Sequence, residues 1–272
     1  MNTPLTDPSL AFSHRVGREF GRHAAAYDGQ ARLQRAVAWR LGHLCRRKLG
    51  PLPDGPVADL GAGSGLLSQA LLQHCPALRG RVPLQVDICR ELLARNPLAA
   101  PAAGVSSGFR AETMEWNLNR GLPPLLPQAA MWVSSFALQW LEEPPVQLVG
   151  WIDRLVSGGW LVLAVPAAGS FPQWRRAAAE ARVPFTGLEL PAAAALISSA
   201  VGSGLDPVHS QLLRFTRPGQ GGLRALRHLH RLGAASGRHP PLTTGQLRRL
   251  LARWPPHTSL TWEVLVLLGR KR

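Results

Sequence analysis

The chain has 272 residues, which is enough for one substantial hydrophobic core but too few for two large domains. We therefore expect a single domain over residues 1–272. A hydrophobic fraction of 46% is typical of a globular protein, and no apolar run approaches the ~20 residues that a membrane-spanning helix needs. The first 13 residues lack the basic and apolar segments of a signal peptide, so a cytoplasmic protein without a membrane segment is expected.

Positive charge dominates the composition. Lys and Arg number 31 against 16 Asp and Glu, which gives a net charge of +15. Such a field attracts acidic partners, and nucleic acid, an anionic membrane surface and an acidic carrier protein all qualify. An arginine-rich composition without a functional role is the alternative. The three cysteines have the spacing of neither a zinc site nor a disulfide framework, so no bound metal is predicted.

Residues 20–49 predict helical structure near the N-terminus. Apolar side chains recur there at helical spacing, at Leu33, Val37, Leu41 and Leu44. We expect this segment to cover the core as a helical cap.

A strand, a glycine loop and a helix follow in direct succession. Val57–Leu60 predicts a short buried strand, Gly61–Gly65 a loop and Leu66–His74 a helix. Glycines in such a loop let the backbone approach a ligand closely, and the free amides of a helix N-terminus bind carboxylate or phosphate. The sequence therefore predicts a cofactor site at this turn.

Further strands alternate with helices. A second strand ends at Asp87, a third lies within Val105–Phe109, and two more span Ala129–Ser134 and Trp160–Val165, with a helix at Val146–Val156 between them. This alternation predicts an α/β fold with a doubly wound, mostly parallel sheet and helices on both faces.

The C-terminal half adds two segments to this cofactor-binding core, which we place at 57–165. Residues 171–256 are rich in helix signals. The segment 258–272 contains the final strand, Leu260–Leu268, which we expect at or near the edge of the sheet.

The glycine spacing distinguishes between cofactors. Gly61, Gly63 and Gly65 form a G-x-G-x-G pattern, whereas a nicotinamide or flavin site reads G-x-G-x-x-G. The pattern favours S-adenosylmethionine (SAM), and Asp87 is then placed to accept hydrogen bonds from the ribose hydroxyls. Loop capping by Asp59 and helix N-capping by Asp87 are the structural alternatives, and both are compatible with cofactor contact.

Three further segments resemble one family, the malonyl-acyl-carrier-protein O-methyltransferases of biotin synthesis. They are Phe20–Asp28, Ser134–Trp140 and Gly169–Pro172, which read FGRHAAAYD, SSFALQW and GSFP. The resemblance implies a class I SAM-dependent methyltransferase with a Rossmann-like, seven-stranded sheet, an N-terminal helix and a helical lid over 171–256. It also implies methylation of the free carboxyl of a malonyl group on acyl-carrier protein or coenzyme A. We expect a monomer that binds no nucleic acid.

The motif and the resemblance together suggest the site residues. Tyr27 is the candidate catalytic residue and, with Gln139, Trp140 and Arg175, the candidate acceptor site. The predicted cofactor ligands are Arg22, Asp59, Gly61, Gly63, Gly65, Asp87, Ile88, Glu112 and Ser134. Arg110 stands near the place of the acidic residue that reads adenine in the family, so Glu112 or the backbone near Ala111 is the candidate here.

Alternatives remain at the level of residues and of function. Tyr27 and Trp140 also suit hydrophobic packing, and Arg175, beside Arg176, suits a solvated helix face. A free carboxylate, with a pKa of about 4, is ionised at neutral pH, so its methylation needs no catalytic base. Another small-molecule or RNA methyltransferase and a non-catalytic assembly factor are the alternative functions.

Overall fold

The computed structural model describes residues 8–99, 111–219 and 221–272. In these ranges seven strands form one sheet in the order β3-β2-β1-β4-β5-β7-β6. The strands are Val57–Leu60 (β1), Leu84–Asp87 (β2), Thr113–Glu115 (β3), Ala129–Ser135 (β4), Leu155–Pro166 (β5), Leu205–Arg217 (β6) and Leu260–Lys271 (β7). Strand β7 runs antiparallel to both of its neighbours, β5 and β6, and the other four strand pairs are parallel. The predicted doubly wound, mostly parallel fold is therefore confirmed.

Helices cover both faces of the sheet. They are Pro8–Gln30 (α1), Arg32–Lys48 (α2), Leu66–His74 (α3), Arg90–Leu93 (α4), Pro144–Asp153 (α5), Pro172–Ala181 (α6), Ala193–Gly202 (α7), Gly221–Arg231 (α8) and Thr244–Arg253 (α9). One apolar core joins the sheet to α2, α3, α6, α8 and α9, and a second core joins its other face to α5 and α7. No helix of the described ranges is both long and apolar enough to cross a membrane.

The predicted N-terminal helical segment is two helices. The chain leaves helical geometry at Ala31, whose φ and ψ are −77° and 42°, and α1 begins at Pro8, before the predicted start. Ala31 is fully buried, and the Arg35 guanidinium donates a hydrogen bond of 2.9 Å to the carbonyl of Asp28. The break therefore lets α1 turn away from α2.

Two element boundaries differ from the prediction. Helix α5 ends at Asp153 and not at Val156, because β5 already begins at Leu155. The third strand described is Thr113–Glu115, while the predicted range Val105–Phe109 lies outside the described residues.

The C-terminal half contains a strand that the helix signals did not reveal. Strand β6 lies inside the segment predicted as a helical lid and pairs with β7 along its whole length. Most of its residues are exposed or half-buried, so it lacks the apolar run that marks β5 and β7. As a result, β7 lies one strand inside the edge.

The packing of α2 on α3 depends on Gly42. A Cβ atom on Gly42 would lie 2.7 Å from the carbonyl oxygen of Ala70, whereas one on the exposed Gly150 of α5 would meet nothing within 4 Å. Gly42→Ala should therefore lower the free energy of unfolding by about 1–3 kcal/mol through overpacking. Gly150→Ala should raise it by about 0.5–1 kcal/mol. Urea unfolding of both variants measures the difference, and equal effects would contradict this packing.

Candidate active site

The glycine loop joins β1 to α3 in a backbone conformation that needs glycine. Gly61, Gly63 and Gly65 have φ values of +79°, +53° and +81°. A Cβ atom on Gly61 would collide with the Cβ of Ala137, and one on Gly65 with the side-chain amide of Asn96. A Cβ atom on Gly63 would have its nearest neighbour 3.8 Å away, so of the three loop glycines only Gly63 faces open space.

Asp59 is a buried carboxylate with one unused oxygen. It is 1% exposed, and its Oδ2 accepts a hydrogen bond of 2.7 Å from the hydroxyl of Ser68. Its Oδ1 has no hydrogen-bond partner among the described residues. Burial, reinforced by the charge of Asp87, raises the pKa of Asp59 to about 7. A cationic ligand group beside Oδ1 would satisfy this carboxylate.

A buried chain of amides holds Asp59 in place. Gln85 donates through Nε2 to the hydroxyl of Ser68 over 2.9 Å, and Asn96 donates through Nδ2 to Oε1 of Gln85 over 2.8 Å. The side chains of Ser68, Gln85 and Asn96 are fully buried. The chain links α3, β2 and the segment after α4, so the position of Asp59 is coupled to the glycine loop next to Asn96.

Asp87 connects the end of β2 to the same loop. Its Oδ2 accepts a hydrogen bond of 2.8 Å from the amide of Gly63, and its Oδ1 accepts one of 2.7 Å from the amide of Cys89. Burial nevertheless raises the pKa of Asp87, although both bonds oppose that shift. A hydroxyl-bearing ligand could replace the loop amide as its donor.

Two cavities meet above these carboxylates. The first cavity, about 910 Å³ with its open mouth, is lined by Asp59, Gly61, Gly63, Asp87 and Ile88, among others. The second cavity, about 1840 Å³ with its open mouth, lies under the C-terminal half. Side chains that line both cavities form their boundary, and these are Phe20, Tyr27, Gln34, Phe136 and Trp140.

Helix α1 brings Tyr27 to this boundary. The neighbouring Asp28 accepts a hydrogen bond of 2.6 Å from the hydroxyl of Ser64, which ties α1 to the glycine loop. The ring of Tyr27 packs edge-on against Phe20, with 6.1 Å between centroids. Burial and the nearby charges of Asp87 and Asp28 raise the pKa of the Tyr27 phenol, so it stays a neutral hydrogen-bond donor.

The turn after β4 completes the boundary. Phe136 has a φ of +58°, and its carbonyl accepts a hydrogen bond of 2.7 Å from Nε2 of Gln139. Gln139 lines the second cavity, and its buried Oε1 has no partner among the described residues. Trp140 packs edge-on against Phe20 at 5.6 Å. Trp140 is therefore both a packing residue and a residue that lines the two cavities.

Five predicted site residues line neither cavity, and one of them is Gly65, which packs against the side chain of Asn96. Ser134 is buried and donates to the carbonyl of Leu60, because alternate residues of β4 point to opposite faces. Arg22 is 66% exposed and pairs with Glu19. Glu112 is exposed and directly precedes β3, so it lies at the amino end of that strand and not at its carboxyl end. Arg175 stacks over Phe185 and forms an ion pair of 3.2 Å with Glu189.

Several residues that line the cavities were not among the predicted site residues, and three of them lie at the carboxyl ends of β3 and β4. Ser135, not Ser134, lines the first cavity, and its buried hydroxyl has no partner among the described residues. Trp116 and Asn117 line the same cavity directly after β3. Only the register of β4 and the true position of β3 could have identified them.

Comparison with known proteins agrees with this architecture. A putative methyltransferase of Bacillus halodurans shares the fold, with a TM-score of 0.59 at 13% identity over 85% of this chain and 98% of the other. The YcgJ protein of Bacillus subtilis has a TM-score of 0.52 at 15% identity over 86% and 98% of the two chains. With its glycine loop and strand order, the protein has the fold of the class I SAM-dependent methyltransferases.

Sequence similarity specifies the family. The chain is 32% identical to the malonyl-[acyl-carrier protein] O-methyltransferase of Magnetococcus marinus, over 87% of this chain and 84% of the relative. It is 28% identical to the enzyme of the same name from Pseudescherichia vulneris, over 94% and 98%. No protein-family model matches the chain. The chain belongs to the malonyl-[acyl-carrier protein] O-methyltransferases.

The open space at Gly63 can be tested by substitution. Gly63→Ala should fold with a loss of about 1–2 kcal/mol from its left-handed backbone, yet bind SAM at least about tenfold more weakly, because the new methyl group enters the first cavity. Gly61→Ala, which collides with Ala137, should cost more stability than Gly63→Ala. Calorimetric titration and thermal unfolding measure both effects. Unchanged SAM affinity in folded Gly63→Ala would contradict the assignment.

Proposed function

We propose that the protein methylates the free carboxyl of a malonyl group carried by acyl-carrier protein, with SAM bound in the first cavity and the malonyl group in the second. The observation that carries this proposal is the boundary at Phe20, Tyr27 and Trp140, where the two cavities meet. Family membership supports the acceptor, because the relatives are named for this reaction.

The first cavity suits SAM chemically. Oδ1 of Asp59, which has no partner within the described part of the chain, fits a cationic group, and Asp87 fits the hydroxyls of a ribose. Gly63 leaves room for a ligand against the backbone, and Trp116 and Asn117, which line the same cavity, would contact the adenine. When bound, SAM supplies a methyl group on a positively charged sulfur, and its transfer to a carboxylate oxygen yields a methyl ester and S-adenosylhomocysteine.

The residues at the boundary position the acceptor. A malonyl carboxylate is ionised at neutral pH, so the protein needs to orient it and exclude water, and no side chain has to remove a proton. The neutral Tyr27 phenol can donate a hydrogen bond to that carboxylate. Among the described residues that line the second cavity, Arg15 is the only Arg or Lys. It donates a hydrogen bond of 2.8 Å to the carbonyl of Gly237 and so braces the wall of this cavity.

The pKa of Asp59 gives cofactor binding a pH dependence. Because its raised value is about 7, the carboxylate is mostly protonated in the free protein below that pH and mostly charged above it. The Kd for SAM should therefore fall about tenfold between about pH 6 and pH 8. Asp59→Asn should bind weakly and lose this component of the dependence, whereas the exposed Asp54→Asn should match the parent. A parent-like pH profile in Asp59→Asn would contradict this role.

The acceptor is tested by methyl transfer from labelled SAM. Malonyl-acyl-carrier protein should be methylated, whereas acetyl-acyl-carrier protein, which has no free carboxyl, and RNA should not. At saturating SAM and acceptor, kcat should stay nearly flat between about pH 6 and pH 8, because the acceptor is ionised throughout. A steep rise of kcat with pH, or equal activity on RNA, would contradict carboxyl methylation.

The role of Tyr27 has its own test. Tyr27→Phe keeps the ring that packs on Phe20 but removes the hydroxyl, so kcat/KM for malonyl-acyl-carrier protein should fall by roughly 10- to 100-fold. The Kd for SAM should stay within about twofold of the parent, which separates the acceptor role from a cofactor role. Unchanged kcat/KM would make Tyr27 a packing residue.

A further inference from the structure

Helix α8 has two faces of different chemical character. Leu226 and Leu229 point inward and line the second cavity. Arg224, Arg227 and Arg231 are exposed, and their spacing of three and four residues places them on one face of the helix. The same short helix therefore carries a wall of the cavity on one side and a row of positive charges on the other.

The arginines of α8 are part of a larger positive surface. His228, between two of them, is half-buried near Arg217, Arg231 and Arg32, and burial together with these charges lowers its pKa to about 4. Neither the three arginines of α8 nor Arg217 and Arg32 take part in the ion pairs of the described residues. We call Arg224, Arg227, Arg231, Arg217 and Arg32 the arginine surface. None of its guanidinium groups forms an ion pair within the described part of the chain.

The second cavity reaches the exterior beside this surface. His230 lies between Arg227 and Arg231 in the sequence, is exposed, and also lines the second cavity. Its ring contacts that of His23 on α1, with 5.0 Å between centroids. A group that enters the cavity between α1 and α8 therefore passes the arginines.

We propose that the arginine surface is the docking site for an acidic face of the acyl-carrier protein, which delivers its malonyl group into the second cavity past His230. This inference rests on the proposed function. Charge complementarity supplies the attraction, and the position of α8 makes docking and delivery one event.

The surface favours a folded protein over a nucleic acid. Arg224 to Arg231 span about 10 Å of helix, which matches one helix face of a partner and not a long phosphate backbone. Leu223 is 43% exposed at the edge of this row. An apolar side chain among arginines suits a protein interface, which has an apolar centre and a charged rim.

The test compares acceptors that carry the same malonyl group on different carriers. In the triple variant Arg224→Ala/Arg227→Ala/Arg231→Ala, KM for malonyl-acyl-carrier protein should rise about tenfold or more, with kcat within about twofold. KM for malonyl-pantetheine, which has no protein surface, should not change. The matched control Arg46→Ala/Arg47→Ala/Arg79→Ala removes the same charge at exposed positions near the amino ends of the strands and should behave like the parent. Circular dichroism and SAM affinity check that both variants fold.

Each other outcome is informative. An unchanged KM for malonyl-acyl-carrier protein in the α8 variant, or the same rise in the control variant, overturns the docking site. Loss of RNA binding in the α8 variant without a change in KM for the carrier protein would assign the surface to nucleic acid and also overturn it. If the parent methylates neither malonyl substrate, the proposed function itself fails, and this result is distinct from a failure of docking.

Discussion

Two carboxylates, the buried Asp59 and the half-buried Asp87, determine how the carboxyl end of this sheet is used. Asp59 and Asp87 belong to the neighbouring parallel strands β1 and β2, so both reach the same end of the sheet. Burial raises the pKa of each, and hydrogen bonds from Ser68 and from the amides of Gly63 and Cys89 offset only part of that cost. The glycine loop is bent so that the amide of Gly63 reaches Asp87, and one oxygen of Asp59 has no hydrogen-bond partner among the described residues, which leaves it available to a ligand.

Helix α1 converts this sheet end into two connected cavities. Its residues Phe20 and Tyr27 stand between them, and the bond from Ser64 to Asp28 fixes the helix on the glycine loop. The segment after α8 packs closely on the same helix, because a Cβ atom on Gly233 would lie 2.9 Å from the Cα of Phe20. The N-terminal and C-terminal parts of the chain therefore shape the second cavity together.

The sequence predicts those parts of the fold that have a strong local signal. The glycine loop, β1 and the apolar strands β5 and β7 are recognisable because burial on both faces requires continuous apolar runs. Strand β6 is not, because the edge of the sheet is largely exposed and its residues are mixed. The site follows the same rule: Asp87 was predictable from its place at the end of β2, whereas the choice of Ser135 over Ser134 depends on strand register, which a single sequence does not reveal.

The central claim is that methyl donor and acceptor occupy separate cavities and meet beside Tyr27. The most direct measurement is a crystal structure of the protein with S-adenosylhomocysteine and malonyl-pantetheine bound together. The account predicts the nucleoside against Gly63 and Asp87, the pantetheine arm under α8, and the malonyl carboxylate next to the sulfur at the Tyr27 boundary. A structure with the malonyl group outside the second cavity, or with its carboxylate directed away from the sulfur, would contradict it.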